Sequence, residues 1–172
     1  MDSFAEACEN VARHSGRLKK VAVLGAYLRS LGREDMLRAI RFLSGVPVSE
    51  APANLTLFDT AEPAKLSVGY AAIREALIAA SGWDAETIRL CARESGDGGE
   101  TAGLLMAPLS AGEPFTLAEA EQIFLKLHST RRAAGRVEIL SACFRRYRGP
   151  AIKYFVKTMG GGFRIGLQER IL

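Results

Sequence analysis

Apolar residues recur at intervals of three and four along almost the whole chain, and this periodicity constrains the fold more than any other feature of the sequence. Such spacing places side chains on one face of an α-helix, whereas a half-buried strand requires strict alternation. The clearest stripe consists of Leu18, Val21, Leu24, Leu28 and Leu31. No stretch alternates convincingly. The pattern therefore predicts an all-α protein, built from a compact set of short helices.

Capping residues, glycines and prolines predict where these helices begin and end. The spacings Ser3-x-x-Glu6 and Thr116-x-x-Glu119 are typical of capping boxes. Asp97 is expected to form a turn or to cap the next helix, and Gly149-Pro150 is expected to open the last long helix, after a helix over 137–146. A length of 172 residues fits one helical domain over 1–172, with two lobes of about 1–63 and 64–172 as the alternative.

Charge is distributed unevenly along the chain. The net charge is +4, yet residues 126–172 carry eleven Lys and Arg against two acids, which is +9. The preceding 125 residues carry twelve bases and seventeen acids, which is −5. A polarised distribution is typical of a surface that binds a polyanion, although solvated helix faces would produce the same pattern. The basic residues Arg131, Arg132 and Arg136 belong to this region.

Several classes of protein are excluded by what the sequence lacks. The three cysteines form no C-x-x-C pair and there are only two histidines, which argues against a disulfide framework and against a metal site. Buried, reduced thiols in a cytoplasmic protein are expected instead. No apolar run approaches the ~18 residues that cross a bilayer. No residue set has the spacing of a catalytic centre, and no Lys is followed two residues later by Asp-Gly, so no catalytic residue is predicted.

The most basic part of the chain contains a glycine-rich turn, Gly160-Gly161-Gly162-Phe163-Arg164-Ile165-Gly166. A helix precedes it, so it is not a dinucleotide fingerprint, and no Lys follows Gly166 as a phosphate loop requires. Its bare backbone beside Arg164 can approach an anion closely, but the glycines alone would also serve as an ordinary helix stop. Lys153 and Lys157 lie four residues apart, which predicts that they share the outer face of the preceding helix.

Together these segments resemble the N-terminal DNA-binding domain of ATP-dependent DNA ligases. The stretch from Lys153 to Lys157, followed by 162–167, is similar to the family's "KYLV…GDLRIGL". The order of the other parts agrees: 15–20 resembles "T-x-R-L-x-K", 43–45 resembles "FLLG", and 96–102 resembles "GDLGEVA". Two departures are Gly161, where Asp or Lys is common, and Phe163, where Leu is usual.

The resemblance implies an all-helical domain that clasps nicked double-stranded DNA across the minor groove through its phosphate backbone. Sealing of the nick, in repair, replication or recombination, is left to the adenylation domain and the OB-fold of the same parent chain. ATP and Mg²⁺ are cofactors of that parent, which is a bacterial-type, cytoplasmic, nucleoid-associated enzyme, and no cofactor is expected in this chain. If the family's motifs keep their roles, the phosphate contacts would come from the residues that match them: Arg17, Lys19, Gly162, Arg164 and Gly166. The wider predicted DNA-binding set adds Lys20, Arg131, Arg132, Arg136, Lys153, Lys157 and Gly161.

Two other interpretations remain open at this point. A helical protein-interaction or regulatory module with a basic face would bind an acidic partner, without preference for a nick. A small helical enzyme with an unrecognised site would contain a cluster of buried carboxylates. The chain ends at Leu172 within a predicted helix, as expected of a segment taken from a longer enzyme.

Overall fold

The computed structural model describes residues 1–49, 63, 64, 66, 68–109 and 111–161. These residues form nine helices: α1 Asp2–Ala12, α2 Arg17–Ser30, α3 Arg33–Leu43, α4 Tyr70–Ser81, α5 Ala85–Ser95, α6 Gly98–Met106, α7 Leu117–Ser129, α8 Ala133–Arg146 and α9 Gly149–Met159. Strand structure in this part of the chain is limited to a two-residue antiparallel pair, β1 Val48–Ser49 with β2 Pro63–Ala64. The predicted all-α fold class is confirmed.

The two predicted capping boxes have different outcomes. Thr116 and Glu119 form theirs: Thr116 accepts from the Glu119 amide at 3.1 Å, and Glu119 accepts from the Thr116 amide at 2.9 Å. The predicted box of Ser3 and Glu6 is wrong, because α1 already begins at Asp2, with Met1 as its N-cap residue and without a side-chain cap. The start of α1 is held by a distant segment instead. The Asp2 amide donates to the Phe115 carbonyl at 3.0 Å, and the Asp2 carboxylate accepts from the Phe115 amide at 2.8 Å.

Helix α9 lies in the middle of the hydrophobic core and packs against α1, α6 and α8. Its buried residues extend around most of its circumference rather than along one face, which is typical of a buried helix. Phe155 is completely buried and stacks on Phe124 with ring centroids 4.4 Å apart, while Tyr154 meets Phe4 edge to face at 6.5 Å. One continuous cluster of buried residues extends from α1 to α9.

Glycines allow α6 and α9 to touch backbone to backbone. A Cβ atom added at Gly99 would lie 2.6 Å from the Lys153 carbonyl oxygen, and one at Gly103 would lie 2.9 Å from the Lys153 Cβ. Gly99 and Gly103 are four residues apart, so both belong to the same face of α6. This close approach brings the charged residues at the start of α6 directly onto α9.

Candidate nucleic-acid interface

The start of α2 combines exposed cations with backbone amides that no side chain caps. Its N-cap residue is Gly16, and the first turn carries no acidic residue. Arg17 and Lys19 are exposed and Lys20 is half-buried. The first amides of a helix lack intrahelical acceptors and point along the positive end of the helix dipole. The start of α2 is therefore chemically suited to an anion.

The start of α8 has the same composition. Arg132 is the N-cap residue, no side chain caps the helix, and the first turn is again free of acids. Arg131 and Arg132 are exposed, whereas Arg136 is half-buried and donates from Nε to the Thr130 carbonyl at 2.7 Å, which secures the turn between α7 and α8. A depression of about 220 Å³ lies at this turn and is lined by Thr130, Arg131, Arg132, Ala134, Gly135 and Glu138.

Acidic or polar side chains occupy three other helix starts. Asp84 caps α5, Asp97 caps α6 and Thr116 caps α7, and a Glu follows in the first turn of each. The start of α9 is blocked differently, because a Cβ at Gly149 would lie 2.6 Å from the Gly103 carbonyl oxygen. Helix α3 also starts uncapped, beside exposed Arg33, but Glu34 and Asp35 lie in its first turn. Apart from the blocked start of α9, α2 and α8 are the described helices whose uncapped starts combine exposed Arg or Lys with a first turn free of acids.

Lys153 and Lys157 do not lie on an outer face, and that prediction is wrong. The Lys157 side chain is only 8% exposed, and its Nζ lies 2.9 Å from Asp97 Oδ2 and 3.1 Å from Glu100 Oε1. Lys153 Nζ lies 3.0 Å from Glu100 Oε2 and also pairs with Glu9 of α1. The amphipathic interpretation failed because α9 is covered by α6 on one side and by α1 on another. The five residues form one ionic cluster that joins three helices.

The ion pairs of this cluster favour the charged forms of Asp97 and Lys153. Burial opposes ionisation of Asp97, but the hydrogen bond from Lys157 and those from the backbone amides of Glu100 and Gly99 hold its pKa below the ordinary value. Burial likewise lowers the pKa of Lys153, and its bonds to Glu9 and Glu100 outweigh that effect and raise the pKa. Two ammonium groups facing three carboxylates are satisfied within the protein, so neither lysine offers a free charge to DNA.

Other cations of the basic last third also have partners inside the protein. Arg146 Nε donates to Glu113 at 2.6 Å, Arg148 Nε donates to the Gly112 carbonyl at 3.0 Å, and Arg145 donates to the Ala79 carbonyl. The +9 charge of residues 126–172 is therefore partly used to hold turns and helices together. Arg131 and Arg132 at the start of α8, in contrast, are exposed and form no ion pair with a described carboxylate.

The glycine turn ends α9 as expected. Gly160 is the C-cap residue, and Gly161 follows with φ of 67°, a left-handed conformation that favours glycine. The remaining predicted contacts in this region, Gly162, Arg164 and Gly166, lie outside the described residues. Their roles stay predictions.

The described residues contain neither a group of three or more His, Cys, Asp or Glu that could hold a metal ion nor a helix long and apolar enough to cross a membrane. Cys8 and Cys143 are buried, where desolvation raises the pKa of each thiol, and Cys91 is half-buried. Core packing was predicted for all three, and the first two confirm it.

Comparison with known proteins decides the family. The family model described as "DNA ligase N terminus" matches residues 1–172. The chain belongs to this DNA ligase family. A probable DNA ligase of Koribacter versatilis is 26% identical over 170 residues, covering 98% of this chain and 28% of that protein. A DNA ligase of Methanothrix thermoacetophila is 25% identical over 183 residues, covering 98% of this chain and 30% of that protein. The chain thus spans less than a third of the length of these ligases.

The structure explains two of the motifs that carry the resemblance to ligases. The segment 96–102 supplies Asp97 and Glu100, and the segment 153–157 supplies the two lysines with which they pair. The motifs are therefore partners of each other in the ligase domain. Sequence reasoning missed this pairing, although two acids one turn apart and two lysines one turn apart are complementary in charge and spacing.

Proposed function

We propose that this DNA ligase N-terminal domain binds nicked double-stranded DNA through its phosphate backbone, without reading the base sequence. One observation carries the proposal: the uncapped starts of α2 and α8 hold exposed arginines and lysines, while acids lie in the first turns of α3, α5, α6 and α7. Arg17, Lys19, Arg131 and Arg132 form no ion pair with any described carboxylate. We call these four residues the phosphate set.

The chemistry of the phosphate set favours affinity over base readout. Guanidinium groups bind phosphate oxygens in pairs, and helix-start amides add donors that point at the anion. Such contacts recognise the sugar-phosphate backbone, which is the same for every sequence. Lys153 and Lys157 are left out of the proposed surface because the ionic cluster neutralises them. Lys20, Arg136 and Gly161 remain proposed DNA-binding residues.

The catalytic chemistry of the whole protein is also a proposal. In an ATP-dependent ligase a lysine is adenylated, AMP passes to the 5′-phosphate, and the 3′-hydroxyl then attacks. The 172 residues contain no Lys-x-Asp-Gly motif for the first step. We therefore assign ATP, Mg²⁺ and the sealing reaction to an adenylation domain and an OB-fold in a longer chain, which would act on nicks left by repair, replication or recombination. Such an enzyme would work in the cytoplasm, at the nucleoid.

The test is a titration of the domain with fluorescent duplex DNA, nicked or intact, at several salt concentrations. If ~4–6 phosphates are neutralised, log K should fall with log salt at a slope of roughly −4 to −5, regardless of sequence. Nicked duplex should bind more tightly than intact duplex and should compete better than heparin. Equal competition by heparin would favour a module that binds acidic proteins, and a flat salt dependence would exclude the phosphate set as a DNA surface.

A pair of variants locates the surface. Arg131→Ala combined with Arg132→Ala should reduce the magnitude of the salt slope by about 1 for each phosphate that the protein no longer neutralises. The matched control is Arg93→Ala in α5, an arginine whose side chain is 66% exposed and which lies 3.6 Å from Glu94. Melting curves should be nearly unchanged for both proteins. A control that loses as much affinity as the double variant would place the DNA surface elsewhere.

A further inference from the structure

The apolar stripe of α2 is only half covered by the rest of the protein. Leu24 is 5% exposed, and Leu28 is half-buried against the core. Leu18 and Val21, at the start of the same helix, are 85% and 41% exposed. The spacing of the stripe favours burial of all its members, so pattern and packing disagree at this end. Disagreements of this kind are expected at functional or strained sites.

Leu18 is the most exposed large apolar side chain among the described residues. A single exposed leucine is ordinary on a protein surface, but this one has both an apolar and two charged neighbours. Val21 follows three residues later in the helix, which places the two side chains next to each other. Arg17 and Lys19 flank Leu18 and are exposed as well. The first turn of α2 therefore presents an apolar contact between cations.

This first turn is also bare on several sides. Residues 15–19 are exposed without interruption. Residues 17–19 belong to the helix, and three successive side chains of a helix span more than half of its circumference. The turn can therefore lie against a partner without any movement of the core.

The surface of a DNA strand has the chemistry that this turn requires. Along each strand an apolar face of a deoxyribose lies between two charged phosphates, and proteins contact both groups. An acidic protein surface would pair with the two cations but would leave Leu18 against charged groups. The minor groove is only about 6 Å wide and does not admit a helix, so the helix start remains at its edge and a side chain reaches the sugars. Leucine is among the side chains that make apolar contacts in minor grooves.

We propose that Leu18, supported by Val21, packs against a deoxyribose of the strand whose phosphates Arg17 and Lys19 bind, at the edge of the minor groove. The inference rests on the proposed function. It adds an apolar contribution to affinity that does not depend on salt, in contrast to the phosphate set. The contact does not read the base sequence, because the deoxyribose is the same in every nucleotide.

The first test compares Leu18→Ala with Leu104→Ala on nicked duplex. Leu104 is 63% exposed on α6, a helix without Lys or Arg, and is the matched control. If about half of the leucine side chain is buried against the sugar, Leu18→Ala should bind about fivefold more weakly at every salt concentration, with an unchanged slope of log K against log salt. Leu104→Ala should bind like the unaltered domain. Equal affinities of the two variants would overturn the inference.

Two further variants distinguish an apolar contact from an effect on the neighbouring cations. Leu18→Met keeps the apolar volume and should bind within about twofold of the unaltered domain. Arg17→Ala should reduce the magnitude of the salt slope by about 1, whereas Leu18→Ala should not. A smaller slope for Leu18→Ala, or a loss for Leu18→Met as large as that for Leu18→Ala, would contradict the sugar contact. Melting curves should be nearly unchanged, because the side chain is exposed and alanine and methionine are good helix formers.

These outcomes separate the inference from the function on which it rests. If the unaltered domain shows no salt-dependent binding to nicked duplex, the proposed function fails and the sugar contact fails with it. If the unaltered domain binds with the expected slope and Leu18→Ala matches Leu104→Ala, the function stands and only the sugar contact is lost.

Discussion

The two oxygens of Asp97 have separate tasks, and substitution at this residue can measure each task by itself. Oδ1 caps α6 by accepting from the Gly99 amide at 2.8 Å and the Glu100 amide at 3.0 Å, whereas Oδ2 accepts from Lys157 Nζ at 2.9 Å. Asp97→Asn keeps an oxygen for the cap but turns an NH₂ group toward an ammonium that is 8% exposed. Asp97→Ala removes both the cap and the charge.

The magnitudes follow from these contacts. A hydrogen bond to a charged group contributes about 1.5–3 kcal/mol, and Asp97 is itself 20% exposed, so Asp97→Asn should lower the free energy of unfolding by about 2 kcal/mol. Loss of the cap adds about 1 kcal/mol, so Asp97→Ala should cost about 3 kcal/mol. For a domain of this size 1 kcal/mol shifts Tm by ~2–4 °C, which predicts falls of about 4–8 °C and 6–12 °C.

Thermal unfolding and urea denaturation measure both values, and Asp84 supplies the control. Asp84 caps α5 by accepting from the Thr87 amide at 2.9 Å and has no cationic partner among the described residues. Asp84→Asn should therefore leave Tm nearly unchanged. If Asp97→Asn is as stable as Asp84→Asn, the ionic cluster contributes nothing to stability and our account of α9 is wrong.

Three further predictions use the same packing and chemistry. Gly99→Ala should destabilise the domain by about 1–3 kcal/mol in thermal melts, because its Cβ would lie 2.6 Å from a backbone oxygen of α9. Gly98→Ala is the control and should be nearly neutral, because its Cβ would meet only a side-chain atom at 4.0 Å. Equal melting temperatures of the two variants would refute the close approach of α6 and α9. The pKa of Asp97 is lowered in the folded protein, so the free energy that its ionised carboxylate adds to folding is present above the unfolded pKa of about 3.9 and is lost as pH falls through the folded value. The difference in free energy of unfolding between the unaltered domain and Asp97→Asn should therefore stay constant from about pH 8 to about 5 and close below about 4. A difference that persists in acid would argue against an ionic origin. Incubation with labelled ATP and Mg²⁺ should produce no AMP adduct that survives denaturation, because no Lys-x-Asp-Gly is present, and such an adduct would contradict a purely DNA-binding domain.

Local signals predicted local structure well. The capping box of Thr116 and Glu119 lies within four residues, and Asp97 caps the helix that follows it directly. Gly149-Pro150 opens α9 as the sequence indicated. Helix α8 begins at Ala133 rather than near Val137, because its first turn contains alanine and glycine, which add nothing to an apolar stripe.

Features that depend on distant partners could not be predicted in this way. The start of α1 is fixed by Phe115, which lies 113 residues from Asp2, so the sequence around Ser3 indicated the wrong cap. Lys153 and Lys157 have the spacing of a solvated face, and only the packing of α6 on α9 shows that Asp97 and Glu100 neutralise them. Arg17, Lys19, Arg131 and Arg132 are exposed, because the exposure of short cationic segments depends little on the rest of the fold, and their contacts with DNA stay predictions.

The pairing of Glu9 with Lys153 has a consequence for biosynthesis. The two residues are 144 positions apart, and α1 also packs directly on α9. At about 5–20 residues per second, roughly 7–29 s of translation separate their emergence from the ribosome. During that interval α1 exposes Phe4 and Val11, two side chains that are completely buried in the finished domain. Contacts with such long sequence separation slow folding, so the final core should assemble only after α9 has been synthesised, and a nascent chain that stops before α9 should depend on chaperones.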